Sequence, residues 1–369
     1  MGCREFAMIL LVQPDDGVNE LVRGIDAAKA TIEITIFRFD HRKIESALTN
    51  AAKRGIFVHA LIARVNSGGE KYLRKLEMRL LDRGITVGRT GNNLARYHSK
   101  LMIIDRQVLY LMGFNYTYLD IVHSRSFGAV TKNKRIVQEG AKLFEADAKR
   151  QSYVAGLETL VVSPVNARKQ LTAFIRGARK QLLIYDPKIS DVPMIHLLQQ
   201  RARAGVEVRI IGKVAHNHAD LTVRKLPNLR LHTRTIIRDR QRAFIGSQSL
   251  RGIELDGRRE AGLIFHDARA VGVLVKTFEK DWGMAMAGVP PKEQMSVSTG
   301  KAAKRLAEVV TQENPSLAAL IEGSLKEVVG RNDKVKVDPK KVERKVKEAV
   351  KAVVDETLRD AMAEVKANK

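Results

Sequence analysis

The chain has 369 residues, 44% of them hydrophobic and 29% charged, which is enough for two ordinary domains and too apolar for disorder throughout. Its one cysteine, Cys3, excludes an intramolecular disulfide and a thiolate zinc cluster and favours a reducing, cytoplasmic setting. Lysine and arginine number 65 against 41 acidic residues, a net charge of +24, and the segment from 291 onward, with 17 basic and 13 acidic residues, holds little of it. The remainder predicts a positive field that gathers phosphodiesters, nucleic acid or an anionic lipid surface.

In chain order, the first apolar run is Phe6 to Val12, closed by Asp15 and Asp16. It is far shorter than the roughly 20 residues that span a bilayer, and it lacks the basic start and small-residue cleavage site of a secretory signal. A soluble protein is expected, with peripheral contact to an anionic membrane as the form of attachment left open.

The same order of elements then appears twice. Residues 19–38 read as an amphipathic helix and an alternating strand, and residues 168–186 repeat that pattern. A second helix and strand follow at 47–63 and at 197–213, with Gly55 and Gly205 placed where each helix must end. Residues 97–117 parallel 231–250, and 126–131 parallel 260–265. The offset between copies falls from 150 to 134, so the first copy carries about sixteen extra residues, including the helical text KYLRKLEMRLLDRG. Each copy closes with a helix, at 143–150 and 277–283.

Strands alternating with helices, built twice, predict an α/β fold of two similar lobes, 1–158 and 159–290. Each lobe is expected to be a mixed sheet flanked by helices, the pair related by a pseudo-twofold axis. From 291 to 369 the text turns rich in Ala, Lys, Glu and Val, and Asp338-Pro339 signals the start of a long helix. Val342, Val346, Ala349 and Val353 would share one face of it and Lys340, Arg344, Lys347 and Lys351 the other.

The residues that carry chemistry are His98-Ser99-Lys100 with Asp105, and His232-Thr233-Arg234 with Asp239. Both fit His-x-Lys/Arg-x4-Asp, and two copies at matching places of a repeat far exceed chance. In a strand, residues i and i+2 point to one side, so each imidazole is expected to project with its cation into a common cleft. Two imidazoles and two cations suffice for phosphodiester transfer by a covalent route without a metal ion or other cofactor.

These motifs, over roughly residues 8–285, resemble the phospholipase D superfamily. The resemblance extends to Gly113-Phe114-Asn115 and Gly246-Ser247-Gln248-Ser249 after the motifs, and to Glu260 in the second copy, where the first has Ser126. It implies His98 as nucleophile and His232 as acid and then base. Lys100 and Arg234 would bind phosphate oxygens, Asn115, Ser247 and Ser249 would donate hydrogen bonds to them, and Asp105, Asp239 and Glu260 would orient imidazoles or hold loops. Arg234 departs from the usual lysine; it keeps the charge but presents a wider, bidentate fork.

Three functions remain open at this point: phospholipid hydrolysis or phosphatidyl transfer of the cardiolipin synthase kind, nuclease activity at the same site, and anion binding without catalysis. Aromatic content of 5% offers few stacking platforms for single-stranded nucleic acid, which tilts the balance toward phospholipid. Weaker candidates are His216 and His218 as metal ligands, Asn66-Ser67-Gly68-Gly69 as a phosphate loop, and Tyr97 as a cleft wall.

Overall fold

The computed structural model describes residues 8–66, 69–215 and 220–287. The expected tail from 291, with its basic face at Lys340 to Lys351, lies outside them, as do His216, His218, Ser67 and Gly68.

The repeat is legible strand by strand. The first sheet runs in the order Ile9–Gln13, Ser124–Thr131, Val108–Met112, Leu101–Ile104, Thr31–Ile36, Phe57–Ile62, Thr86–Arg89. The second runs Leu160–Val162, Ala261–Phe265, Arg242–Gly246, Arg234–Arg238, Gln181–Ile189, Glu207–Val214, Thr222–Lys225, with Met286–Ala287 added at its edge. Each sheet is mixed: its inner helix-linked strands pair parallel and the motif strand pairs antiparallel to the first of them. From Ile9 to Val12 the apolar run near the N-terminus is thus a sheet strand, paired with Phe127–Val130.

Local chemistry explains the helices. Arg42–Lys53 and Val192–Arg203 end at Gly55 and Gly205, whose φ of 85° and 84° lie in the left-handed region that favours glycine. The closing helices Lys134–Ala148 and Ala268–Met284 are capped by the side chains of Asn133 and Asp267. The insertion in the first lobe forms the helix Gly69–Leu81, whose Leu73, Leu76 and Leu80 are buried at helical spacing.

Strand periodicity divides the core. Leu101 and Ile103 face a core shared by both lobes, with Phe127, Leu183, Tyr185, Ile245 and Phe278, while Met102 and Ile104 face the first lobe's own helices. The two inner faces therefore pack on each other. Both lobes belong to one compact unit ending at Gly288.

The lobes also exchange matching contacts. Arg96–Tyr97 pairs with Arg258–Arg259, and Arg230–Leu231 pairs with Ser124–Arg125. All four segments are related by the same 134-residue offset, which is the reciprocity a twofold relation requires. Two buried ion pairs repeat the pattern across the interface: Arg125 Nε to Asp281 at 2.8 Å and Arg259 Nε to Asp147 at 3.0 Å. At Gly113 a Cβ would stand 3.0 Å from the Gly246 carbonyl oxygen of the other lobe, so this close approach needs glycine.

Candidate active site

The two histidine segments do not lie inside strands, as the alternation argument expected. Leu101–Ile104 begins after Lys100, and Arg234 is the first residue of its strand. The reason is the partner lobe. The preceding residues have left their own sheet to pair across the interface, so His98 N–H donates to the Arg259 carbonyl at 2.7 Å and His232 N–H to the Arg125 carbonyl at 3.1 Å. Each imidazole is thereby placed by backbone from the other lobe, at the sheet end where the parallel strands finish.

His98 Nδ1 lies 2.7 Å from Glu260 Oε2, and its ring meets Phe37 edge-on at 4.4 Å. With the Nδ1 proton donated to the carboxylate, Nε2 keeps an in-plane lone pair. Lys100 Nζ stands 2.9 Å from both ring nitrogens and donates to the His98 carbonyl at 2.6 Å. A point equidistant at that range from both nitrogens must lie over the ring, so the ammonium does not occupy that lone pair.

His232 is held differently. Its Nε2 lies 3.0 Å from Asp120 Oδ2 and its Nδ1 3.0 Å from Arg230 Nη2. Because guanidinium only donates, the neutral ring carries its proton on Nε2, directed at Asp120. Asn115 Nδ2 donates to the same Asp120 oxygen at 2.7 Å and lies 3.4 Å from His232 Nε2. Both imidazoles thus pair with a carboxylate of the opposite lobe, but from non-equivalent positions. Asp120 corresponds to Glu254 by the 134-residue offset, and Glu254 instead accepts from Ser249 N and from Arg251 and Arg258.

The cations are built in. Arg234 donates from Nε to Ser249 Oγ at 3.1 Å and from Nη1 to the His232 carbonyl at 3.0 Å. Ser247 Oγ donates to the Ala261 carbonyl at 3.3 Å, beside Glu260. Asp105 and Asp239, grouped with the catalytic residues by their motifs, carry out only the loop-holding part of that expectation. Asp105 accepts the amides of Lys29, Ala30 and Thr31, and Asp239 those of Arg179, Lys180 and Gln181. The imidazoles are oriented by Glu260 and Asp120 instead.

Burial dominates the electrostatics. It presses His98 well below the usual histidine range, helped by Lys100 and Arg234, and lowers His232 to about 4 against the raising effect of Asp120. It lowers Lys100 to about 7, opposed by Glu260, and raises Glu260 above the usual carboxylate range. Asp120 feels the same burial, yet the hydrogen bond and charge of His232 hold it well below the usual range. His232 and Arg234 act on His98, and Arg234 on Lys100, so the two motifs form one electrostatic cluster.

Sequence reasoning missed Asp120, Arg230, Arg125 and Arg259. Of the weaker candidates, Tyr97 is buried and donates to Asn93 Oδ1 at 2.8 Å, and Asn66 donates to the Phe37 carbonyl at 2.9 Å. Among the described residues no group of three His, Cys, Asp or Glu side chains is placed to hold a metal ion.

The family model described as the phospholipase D-like domain of cardiolipin synthase matches residues 21–148 and 171–282, one match per lobe. The chain belongs to the phospholipase D-like family. A cardiolipin synthase of Clostridium perfringens is 25% identical over 290 residues, spanning 63% of this chain and 61% of that protein. The chain thus matches less than two thirds of the length of its curated relatives. Among solved structures, the fold resembles phosphatidylserine synthase of Haemophilus influenzae, with a TM-score of 0.61 and 12% identity over 83% of this chain and 94% of that one. It also resembles polyphosphate kinase of Porphyromonas gingivalis, with a TM-score of 0.64 and 20% identity over 82% of this chain and 55% of that one.

Proposed function

We propose that the chain is a phospholipase D-type phosphodiesterase or phosphatidyltransferase that works through a covalent phosphohistidine, with a phospholipid as substrate. The observation that carries this reading is the cross-lobe cluster itself: two imidazoles, each on a carboxylate of the other lobe, with Lys100 and Arg234 among them. His98 Nε2 attacks phosphorus and the bond to the leaving alcohol breaks as His232 gives that oxygen a proton. Water or a second alcohol then gives its proton to His232, attacks phosphorus and releases His98. Lys100 and Arg234 offset the negative charge on the phosphoryl oxygens.

His232 is neutral at rest, because burial lowers it to about 4. The negative charge of a bound phosphodiester offsets that burial and draws a proton onto the ring. For that proton to reach Nδ1, the Nη2 of Arg230 has to turn away from it while Nη1 stays paired with Asp120. Phospholipid is preferred as substrate because the curated relatives are cardiolipin synthases and the Haemophilus structure is a phosphatidylserine synthase.

The test is a parallel incubation with mixed phospholipids and with single- and double-stranded DNA and RNA, read by lipid mass spectrometry and gels. Headgroup release or cardiolipin formation without cleavage of nucleic acid is the expected result, and turnover should survive EDTA because the imidazoles and cations supply nucleophile and charge. Nucleic acid cleavage alone would assign the site to a nuclease. Silence on every substrate would leave an anion-binding relative.

Anion affinity should also depend on pH. Lys100 is charged below about 7 and neutral above it, while both histidines titrate well below that point. Sulfate stays doubly charged from pH 6 to 9, so its affinity should fall as pH rises through about 7, by calorimetric titration. In Lys100→Met binding should be weak and flat across the range; an unchanged pH profile in that variant would remove Lys100 from the anion site.

A further inference from the structure

Beyond the cleft, the sheet end that carries the site bears a rim of exposed apolar side chains. The five-residue helices Tyr118–Val122 and Gly252–Asp256 flank the two motifs and turn Asp120 and Glu254 inward, where both are buried. Their outward positions include Leu119, 46% exposed, and Ile253, 45% exposed, which are equivalents under the 134-residue offset. Tyr118, 56% exposed, extends the first helix. Val192, 45% exposed, joins the second, because Ser190 and Asp191 donate their amides to the Leu250 carbonyl just before that helix.

Scattered apolar residues on a surface are ordinary; equivalent ones on both sides of one cleft are an arrangement. Cations surround them. Arg42 and Lys43, the first two residues of the helix Arg42–Lys53, and Lys188, near the end of the strand Gln181–Ile189, are exposed, whereas the nearby acids are engaged: Asp256 pairs with Arg168, and Asp40 accepts from Tyr118 N–H. Aliphatic side chains beside lysine and arginine suit a lipid interface, where the apolar parts enter the acyl boundary and the cations meet anionic headgroups. Apart from Tyr118, they offer little to nucleic acid, whose bases need aromatic platforms.

We infer that the twin helices form a docking rim that seats the cleft on an anionic phospholipid bilayer, so that headgroups reach the histidines without the lipid leaving the membrane. This rests on the phosphodiester reading of the site and adds where its substrate is presented.

The test compares the full chain with Leu119→Ser/Ile253→Ser by co-sedimentation with phosphatidylglycerol and phosphatidylcholine vesicles. Sedimentation in high salt screens attraction by other basic segments and isolates the apolar contribution. The salt-resistant binding should drop about tenfold or more, while turnover of the soluble ester bis(p-nitrophenyl) phosphate stays unchanged. Leu119→Trp/Ile253→Trp should bind vesicles more tightly, which keeps the inference testable if the serine variant folds poorly. Unchanged vesicle binding in both variants would overturn it. So would a dimer that dissociates on substitution, which would make a second copy of the chain the occupant, or a selective loss of DNA binding. If the parent bound vesicles through the rim yet turned over neither lipid nor the soluble ester, the rim would stand and the phosphodiesterase reading would fall.

Discussion

Replacing His98 by alanine should lower turnover of a soluble phosphodiester by on the order of 10^4-fold or more, because under the proposed function it removes the atom to which phosphorus would become bonded. Replacing His232 should lower it by about 10^2 to 10^4-fold, the range for loss of a general acid and base. The His232 loss should shrink when the leaving group is p-nitrophenolate, which departs without protonation, whereas the His98 loss should not. That difference follows from the asymmetry of the site. Glu260 takes the Nδ1 proton of His98 and leaves Nε2 available, while both nitrogens of His232 are engaged by Asp120 and Arg230. Equal losses for both variants with both leaving groups would show that the two rings do not divide the work in this way.

Asp281→Ala should be among the most destabilising substitutions in the chain. The carboxylate is fully buried, accepts from Arg125 Nε at 2.8 Å and Nη2 at 3.1 Å, and takes the Tyr185 hydroxyl at 2.7 Å. Removing it leaves the buried guanidinium with only the carboxylate of Asp15, at 3.4 Å, and the Gln13 carbonyl, a loss of about 3 to 5 kcal/mol, or a melting temperature lower by on the order of 10 °C. Activity should fall with it, since the Arg125 carbonyl holds His232 N–H. Arg125→Met/Asp281→Leu removes both charges and should recover part of the stability lost in the single variant. A melting temperature within a degree or two of the parent for Asp281→Ala would mean that the ion pair does not hold the lobes together.

Much of the fold was legible because it is local and repeated. The two periodicities marked helices and strands, and Gly55 and Gly205 marked the left-handed helix ends. Alternation at His98 and His232 suits a strand interior but says nothing of the hydrogen-bonding partner, which comes from the other lobe. Asp120 and Arg230 were invisible for a related reason. Their contacts with His232 depend on how two lobes meet, and Asp120 lies more than a hundred residues from the ring it holds. One signal was available. The 134-residue offset pairs Arg125 with Arg259, Asp147 with Asp281, and Asp120 with Glu254. Charged residues retained at matching places of an otherwise diverged repeat pointed to the buried pairs across the interface.

The most direct test of the account is to quench the enzyme during turnover of bis(p-nitrophenyl) phosphate, at neutral or alkaline pH where phosphohistidine persists, and to map the adduct by peptide mass spectrometry. The account predicts a p-nitrophenyl phosphoramidate, joined through a P–N bond, on the peptide carrying His98, more abundant in His232→Ala and absent in His98→Ala. An adduct on the peptide carrying His232, or steady turnover with none on either ring, would contradict it.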